Sequence, residues 1–382
     1  MADEISRVGQ MYGLRRDNFI LNPLTDHRCF ARDDIKTMTL AESLDIDLVT
    51  GLAPKRFVWG PYGGGKTHTL MRVMDELKGL TKIHSVRIEC PDLGKKSRFH
   101  DLYREGIMRG LGQDFVIRLI EDAVHATGLA RRDEMLEKLK VKFGEEEVAK
   151  AAIRIIDPNF DQLRLWRWIS GVSMSRGDLD DLGQTQDLTS TEAARLAELI
   201  CMCGRLLKEL RGETLVLILD EMERLKSIGA ETISTFVSGF TRLVDPNQAS
   251  VSILIGASAD FQQEMVEVFS TNGPVTSRLG AEALIEIPSL QDPDVSRFIK
   301  GVIEFVREPT ADVSALVAGA KAEAGQELID HDFFPFTDNA IEALKSHLMQ
   351  LMTPREITIK MTRAMGRAYR FNKKVITADC VQ

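Results

Sequence analysis

RFVWGPYGGGKTHTL, residues 56–70, passes from an apolar run into a glycine-rich turn and then into a helix. Arg56 to Trp59 reads as a short buried strand. Gly60, Pro61, Tyr62, Gly63, Gly64, Gly65, Lys66 and Thr67 fit the G-x-x-x-x-G-K-[ST] spacing, and apolar residues then recur at helical period through Leu77. The glycines let backbone N–H groups turn inward on an anion without Cβ clashes. A helix that starts at Lys66 aims its positive end at the same anion. Lys66 is placed to reach β- and γ-phosphates, the Thr67 hydroxyl to bind Mg²⁺, and His68 to complete the nucleotide-binding set. The stretch therefore predicts a site for a nucleoside triphosphate such as ATP.

A second acidic motif answers the first. Leu215 to Leu219 (LVLIL) is an unbroken apolar run, the pattern of a parallel strand covered on both faces. Asp220 and Glu221 follow at its C-terminal edge, where open α/β sheets place their ligands. Asp220 is expected in the Mg²⁺ shell, and Glu221 is placed to polarise the water that attacks the γ-phosphate. Val251 to Gly256 (VSILIG) is another buried strand, and a polar side chain just after it, Ser258 or Asp260, would sit between the two motifs. Ile83 to Cys90 and Leu284 to Ile287 supply two further strands.

Between the strands the chain is largely helical in period. Asp33 to Leu52 reads as one helix. Residues 97–186 form a charged helical insert that contains Leu165-Trp166-Arg167-Trp168-Ile169-Ser170-Gly171. The two tryptophans are either a stacking platform for a base or buried anchors of the insert. Ser173 to Gln186 reads as a polar loop. Thr189-Ser190-Thr191-Glu192 is a capping box for a long amphipathic helix that Gly212 ends. Phe19, Ile20 and Leu21, before Asn22-Pro23, either cover an adenine ring or strap the N-terminus onto the core. Thr353-Pro354-Arg355-Glu356 opens a late helix. A cation at Arg355, in the first turn, opposes the helix dipole and makes sense if an anion lies in front of it.

Composition narrows the class. The 382 residues are 44% hydrophobic and carry a net charge of −8, which argues against a generally basic protein that coats nucleic acid. The N-terminus MADEISRVGQMYGLRRDN lacks the apolar core of a signal peptide, and no apolar run reaches the length of a membrane span. Five scattered cysteines do not suggest a disulfide framework, so a cytoplasmic protein is expected. Lys360, Arg363, Arg367, Arg370 and Lys374 recur at steps of three and four. This stripe either grips phosphates, faces solvent, or meets the acidic flank of a neighbour.

The order of parts resembles the AAA+ ATPases: Gly60 to Thr67 as Walker A, Asp220-Glu221 as Walker B, a sensor-1 strand ending near Ser258, Ser277-Arg278-Leu279 as the box VII arginine segment, and Pro354-Arg355 as sensor 2. Within that class SRLG and PREI look most like the origin-recognition initiators. The insert with LWRWISG followed by LVLILDEMERL looks like the ATP-binding proteins of bacteriophage-exclusion (BREX) systems. The resemblance implies an α/β fold with a five-stranded parallel sheet in the order 5-1-4-3-2. It implies three segments: an N-terminal strap and helix at 1–55, a nucleotide-binding domain at 56–290 and a helical lid at 291–382. It further implies a homo-oligomer in which Arg278 acts in trans on the ATP of the next subunit, with Arg355 acting within its own. A partner nuclease or methyltransferase, and DNA on the basic stripe, belong to the same expectation. The alternative is an ATP-gated assembly switch with little turnover. The initiators usually have Asn at sensor 1, whereas the aligned position here is Ala259, and the winged-helix reader of initiators has no counterpart after the lid.

Overall fold

The computed structural model describes residues 7–29, 37–50, 52–79, 82–128, 131–245, 250–259, 283–347 and 352–381. Five strands, β1 Lys55–Gly60, β2 Ile83–Glu89, β3 Thr214–Asp220, β4 Val251–Ser258 and β5 Leu284–Glu286, form one parallel sheet in the order β2-β3-β4-β1-β5. Read from the other edge this is 5-1-4-3-2, the expected order. Every residue of β3 is buried, as is every residue of β4 before Ser258. Their continuous apolar runs follow from that, since a strand covered on both faces has no solvent side to mark. Register is fixed from Ile83 opposite Thr214 to Glu89 opposite Asp220.

The chain divides into two compact units, each with its own core. One comprises Leu40–Trp59 and Val73–Ile285. Its core joins the sheet residues Phe57, Leu217 and Ile253 to the helices Gln113–His125, Arg132–Phe143, Glu146–Ala152, Gln162–Ile169 and Ala193–Arg211. Trp168 is fully buried there and its indole N–H donates to the Gln186 carbonyl at 3.2 Å, so this tryptophan is an anchor of the insert. The other unit comprises Met1–Thr39, Gly60–Arg72 and Glu286–Gln382. Its core packs Tyr12 and Phe19 against Val302, Phe336, Ile341, Met361 and Met365. The Phe19 ring lies 5.6 Å from that of Phe336 and its N–H donates to Thr362 Oγ1 at 2.9 Å. Phe19 is thus spent on strapping the N-terminal segment down, while Ile20 stays half exposed.

Three local expectations change. Ser173 to Gln186 holds a short helix, Arg176–Leu182, capped by Ser175 and closed by Gly183 in the left-handed conformation. Only Leu179 and Leu182 face the core, too few to give a readable period. The long helix Ala193–Arg211 begins from Glu192 with no side-chain cap, because Thr189 is turned onto Asp187 instead. Asp33 to Leu52 is helical over Thr37–Val49 within the described residues.

Lys55, at the start of β1, is buried and donates to the Val251 carbonyl. Burial pushes its pKa down to about 8, opposed by Cys201 and Asp245. The native state therefore binds fewer protons than the unfolded chain from about pH 8 to the ordinary lysine value, and stability rises with pH across that window. Below it, the whole cost of burying the charge is present, of order 3 kcal/mol at about 1.4 kcal/mol per pKa unit. Lys55→Met should raise the unfolding free energy at about pH 7 by roughly 1–3 kcal/mol after the lost hydrogen bond, read as a higher urea midpoint, and gain little near pH 10. An unchanged or lower midpoint at neutral pH contradicts this account.

Candidate functional site

The glycine-rich loop leaves β1 and enters the helix Lys66–Lys78. Gly63 and Gly65 have φ of +77° and +99°, a backbone that side chains resist. Gly63 is also hemmed in: a Cβ there would stand 2.9 Å from Arg355 Cβ and 3.2 Å from Thr353 Oγ1. Lys66 is buried, and its ammonium donates to the carbonyls of Gly60 at 3.1 Å and Pro61 at 2.8 Å. The His68 ring contacts the Cys29 carbonyl at 2.8 Å, and burial lowers its pKa. Its side chain is therefore engaged with the N-terminal segment at Cys29.

Arg355 lies beside this loop. Thr353 caps the helix Pro354–Arg370 by accepting from the Glu356 N–H at 3.3 Å. The Arg355 N–H donates to the Gly63 carbonyl at 3.4 Å. Its guanidinium donates to the Tyr62 hydroxyl at 2.6 Å and sits 5.0 Å from the centre of that ring. Tyr62 is 68% exposed, so the pair marks the mouth of the loop in a place where an anion has access.

In the other unit, β3 ends on Asp220, which is 2% exposed. Its Oδ2 accepts from Arg87 Nη2 at 2.8 Å and Nε at 3.3 Å, and its Oδ1 accepts from the Glu221 N–H at 3.0 Å. Arg87 comes from β2, two positions before the residue opposite Asp220. Glu221 has φ 58° and ψ 33°, a left-handed conformation that costs a non-glycine residue of order 1 kcal/mol. Only Asn372 shares a positive φ among the described non-glycine residues. That backbone turns Glu221 off the strand line. Its carboxylate pairs with Arg224, which also reaches Glu89 at 3.3 Å and Asp92 at 3.5 Å. Burial pushes the Glu221 pKa up, Arg224 opposes, and Glu89, Asp220 and Glu223 reinforce the rise.

Ser258 closes β4, but its hydroxyl is committed. Oγ donates to Glu223 Oε1 at 2.8 Å and its N–H to Glu223 Oε2 at 3.0 Å. Ala259 beside it is buried. Asp260 and Ser277-Arg278-Leu279 lie outside the described residues. The sequence reading missed Arg87, Glu223 and Arg224. Arg224 was legible as an i, i+3 charge partner of Glu221; Arg87 needed the β2–β3 register.

Each unit, taken by itself, offers groups of the kind that a nucleoside triphosphate or Mg²⁺ takes. The loop has room only for glycine at its tightest point, and its lysine rests on carbonyls that phosphate oxygens can replace. Asp220 is a buried carboxylate at a strand end, the hard oxygen donor that Mg²⁺ prefers. No group of three or more His, Cys, Asp or Glu side chains placed to hold a metal ion by themselves occurs among the described residues. Nor is any helix there long and apolar enough to cross a membrane.

No family model matches the chain, and no curated protein matches it. Among solved structures it is similar to the ORC2 protein of Aeropyrum pernix in ADPNP-ADP complexes, at 13% identity and a TM-score of 0.45, over 92% of this chain and 66% of that one. It is similar to the Aeropyrum pernix ORC1 protein in complex with DNA at 13% identity and a TM-score of 0.47, over 94% and 66%. The Walker-type ATPase of Pyrococcus abyssi follows at 13% identity and a TM-score of 0.43, over 93% and 77%. The chain thus spans 66% of the length of the two Aeropyrum pernix chains.

Proposed function

We propose that this chain is an oligomeric, Mg²⁺-dependent AAA+ ATPase that couples ATP binding and hydrolysis to loading or remodelling of a DNA-associated partner. The observation that carries this reading is the strand order. β4 is inserted between β1, which bears the glycine-rich loop, and β3, which bears Asp220 and Glu221, and the strands run parallel, so β1 and β3 end at the same edge.

The residues then divide the work. Lys66 and the loop N–H groups hold the β- and γ-phosphates. Thr67 and Asp220 would hold Mg²⁺, which when bound offsets phosphate charge. Glu221 orients the attacking water and takes its proton. Arg355 contributes charge from its own subunit and Arg278 from the neighbour's. A nuclease or methyltransferase of an antiphage system is the partner we favour, on the resemblance of the tryptophan-bearing insert to BREX ATP-binding proteins.

A second reading, an ATP-gated assembly switch, draws on one specific observation: Glu223 occupies the Ser258 hydroxyl and Ala259 offers no polar group. Turnover decides between them. Arg278→Ala should bind ATP but hydrolyse it at least about 10³-fold more slowly. Mixing it with Lys66→Ala should restore part of the rate, because each supplies what the other lacks. Wild-type turnover in Arg278→Ala removes the trans arginine. Absence of turnover in the wild type, with and without DNA, favours the switch.

A further inference from the structure

We propose that the outward face of the helix Pro354–Arg370 binds single-stranded nucleic acid, with Phe371 as the side chain on which a base stacks. This rests on the reading of the chain as an ATPase working on a DNA-associated partner, and supplies the contact that reading lacks.

The helix buries Ile357, Thr358, Met361, Ala364, Met365 and Ala368 on one side. Lys360, Arg363, Arg367 and Arg370 follow one another at three, four and three residues, which keeps them together on the opposite side. Lys374 lies past the end of the helix, and its backbone N–H donates to Glu323 at 2.5 Å. No carboxylate pairs with Lys360, Arg363 or Arg370 among the described residues, and Arg363 and Arg370 are exposed. Lys373, by contrast, pairs with Asp379 at 2.7 Å. In a protein of net charge −8, cations left without carboxylates on one face point to a polyanion.

Phe371 makes the face more than electrostatic. Its N–H still donates to the Arg367 carbonyl at 3.2 Å, so it continues the helical path and falls four residues after Arg367. It is 69% exposed. A large apolar ring held in water beside arginines has a use where bases are unstacked. Duplex hides the faces of its bases, whereas a single strand offers them to aromatic and guanidinium planes. From Lys360 to Phe371 the helix runs about 16 Å at about 1.5 Å per residue, a span of several phosphates.

The test is fluorescence anisotropy with labelled oligothymidylate, oligouridylate and a DNA duplex across a salt series, using the full chain. The wild type should bind single strands more tightly than duplex. Lys360→Gln/Arg363→Gln/Arg370→Gln should weaken that binding and lower the slope of log K against log salt by about 2, at about 0.7 per lost phosphate contact. Phe371→Ala should weaken it roughly tenfold without changing the slope, and Phe371→Trp should restore it. Arg363, Arg370 and Phe371 are exposed and Lys360 is half-buried, and unchanged melting curves show that the fold is intact. DNA and RNA probes bound alike assign the site to single strands in general; a preference names the polymer. Equal duplex binding with no effect of Phe371→Ala overturns the single-strand assignment. Binding untouched by every variant, or absent from the wild type, overturns the surface. Binding of a fluorescent ATP analogue, measured in parallel, reports the phosphate site separately, so its loss beside intact strand binding would count against the ATPase reading alone.

Discussion

Lys66→Ala should lose ATP binding by at least about 100-fold, by equilibrium titration with a fluorescent ATP analogue. The ammonium is buried and held on the Gly60 and Pro61 carbonyls at the base of the loop. It is therefore pre-positioned, and little side-chain entropy remains to be lost when phosphate oxygens replace those carbonyls. A charge-assisted hydrogen bond contributes about 1.5–3 kcal/mol, and Lys66 is expected to make two to the β- and γ-phosphates. Two such bonds cover a factor of at least about 10² in affinity. The Gly60 and Pro61 carbonyls lose their donor in this variant, so the melting temperature without nucleotide is measured alongside to show that the chain is folded. Stabilisation by ATP, in contrast, should vanish, because mass action needs a bound state. ATP bound by Lys66→Ala as tightly as by its parent removes the basis of the proposed function.

Glu221→Gln should bind ATP and assemble with it, yet hydrolyse it about 10²–10⁴-fold more slowly. The substitution keeps size and hydrogen-bonding reach, and Gln tolerates the left-handed backbone as poorly or as well as Glu, so geometry is largely preserved. What disappears is the capacity to take a proton. The raised pKa of Glu221 shows that its surroundings favour protonation, which suits a group that must accept a proton during turnover. Single-turnover hydrolysis of radiolabelled ATP beside light scattering for oligomer size makes the check. A glutamine variant that retains its rate leaves Glu221 as no more than the partner of Arg224.

The sheet was legible because its strands announce themselves. LVLIL and VSILIG are apolar without a break, and the glycine-rich loop fixes which strand is first. The strand order, however, came through family resemblance; no property of Leu215 or Val251 encodes which neighbour it takes. A cation in a helix's first turn is locally unfavourable, so Arg355 asked for an external anion; which element lies beside it came through the family resemblance. The sequence was silent where contacts join residues far apart in the chain. Arg87 meets Asp220 through sheet register, and Glu223 reaches Ser258, the last residue of β4, from the short 3-10 helix Met222–Ser227. Arg176–Leu182 escaped notice because two leucines three apart make no period. The box VII arginine, Arg278, stays an expectation, since its segment lies outside the described residues.

The helix Pro354–Arg370 begins against Gly63 and ends beside Phe371. Its first turn touches the loop so closely that a single methyl group at Gly63 would not fit. A triphosphate seated in the loop, as proposed, would press on that turn, and a stiff rod would carry the displacement to its far end. Linkage makes the traffic two-way: whatever factor ATP applies to strand affinity, the strand returns to ATP affinity. One rod of 17 residues would then serve as the crankshaft between fuel and cargo.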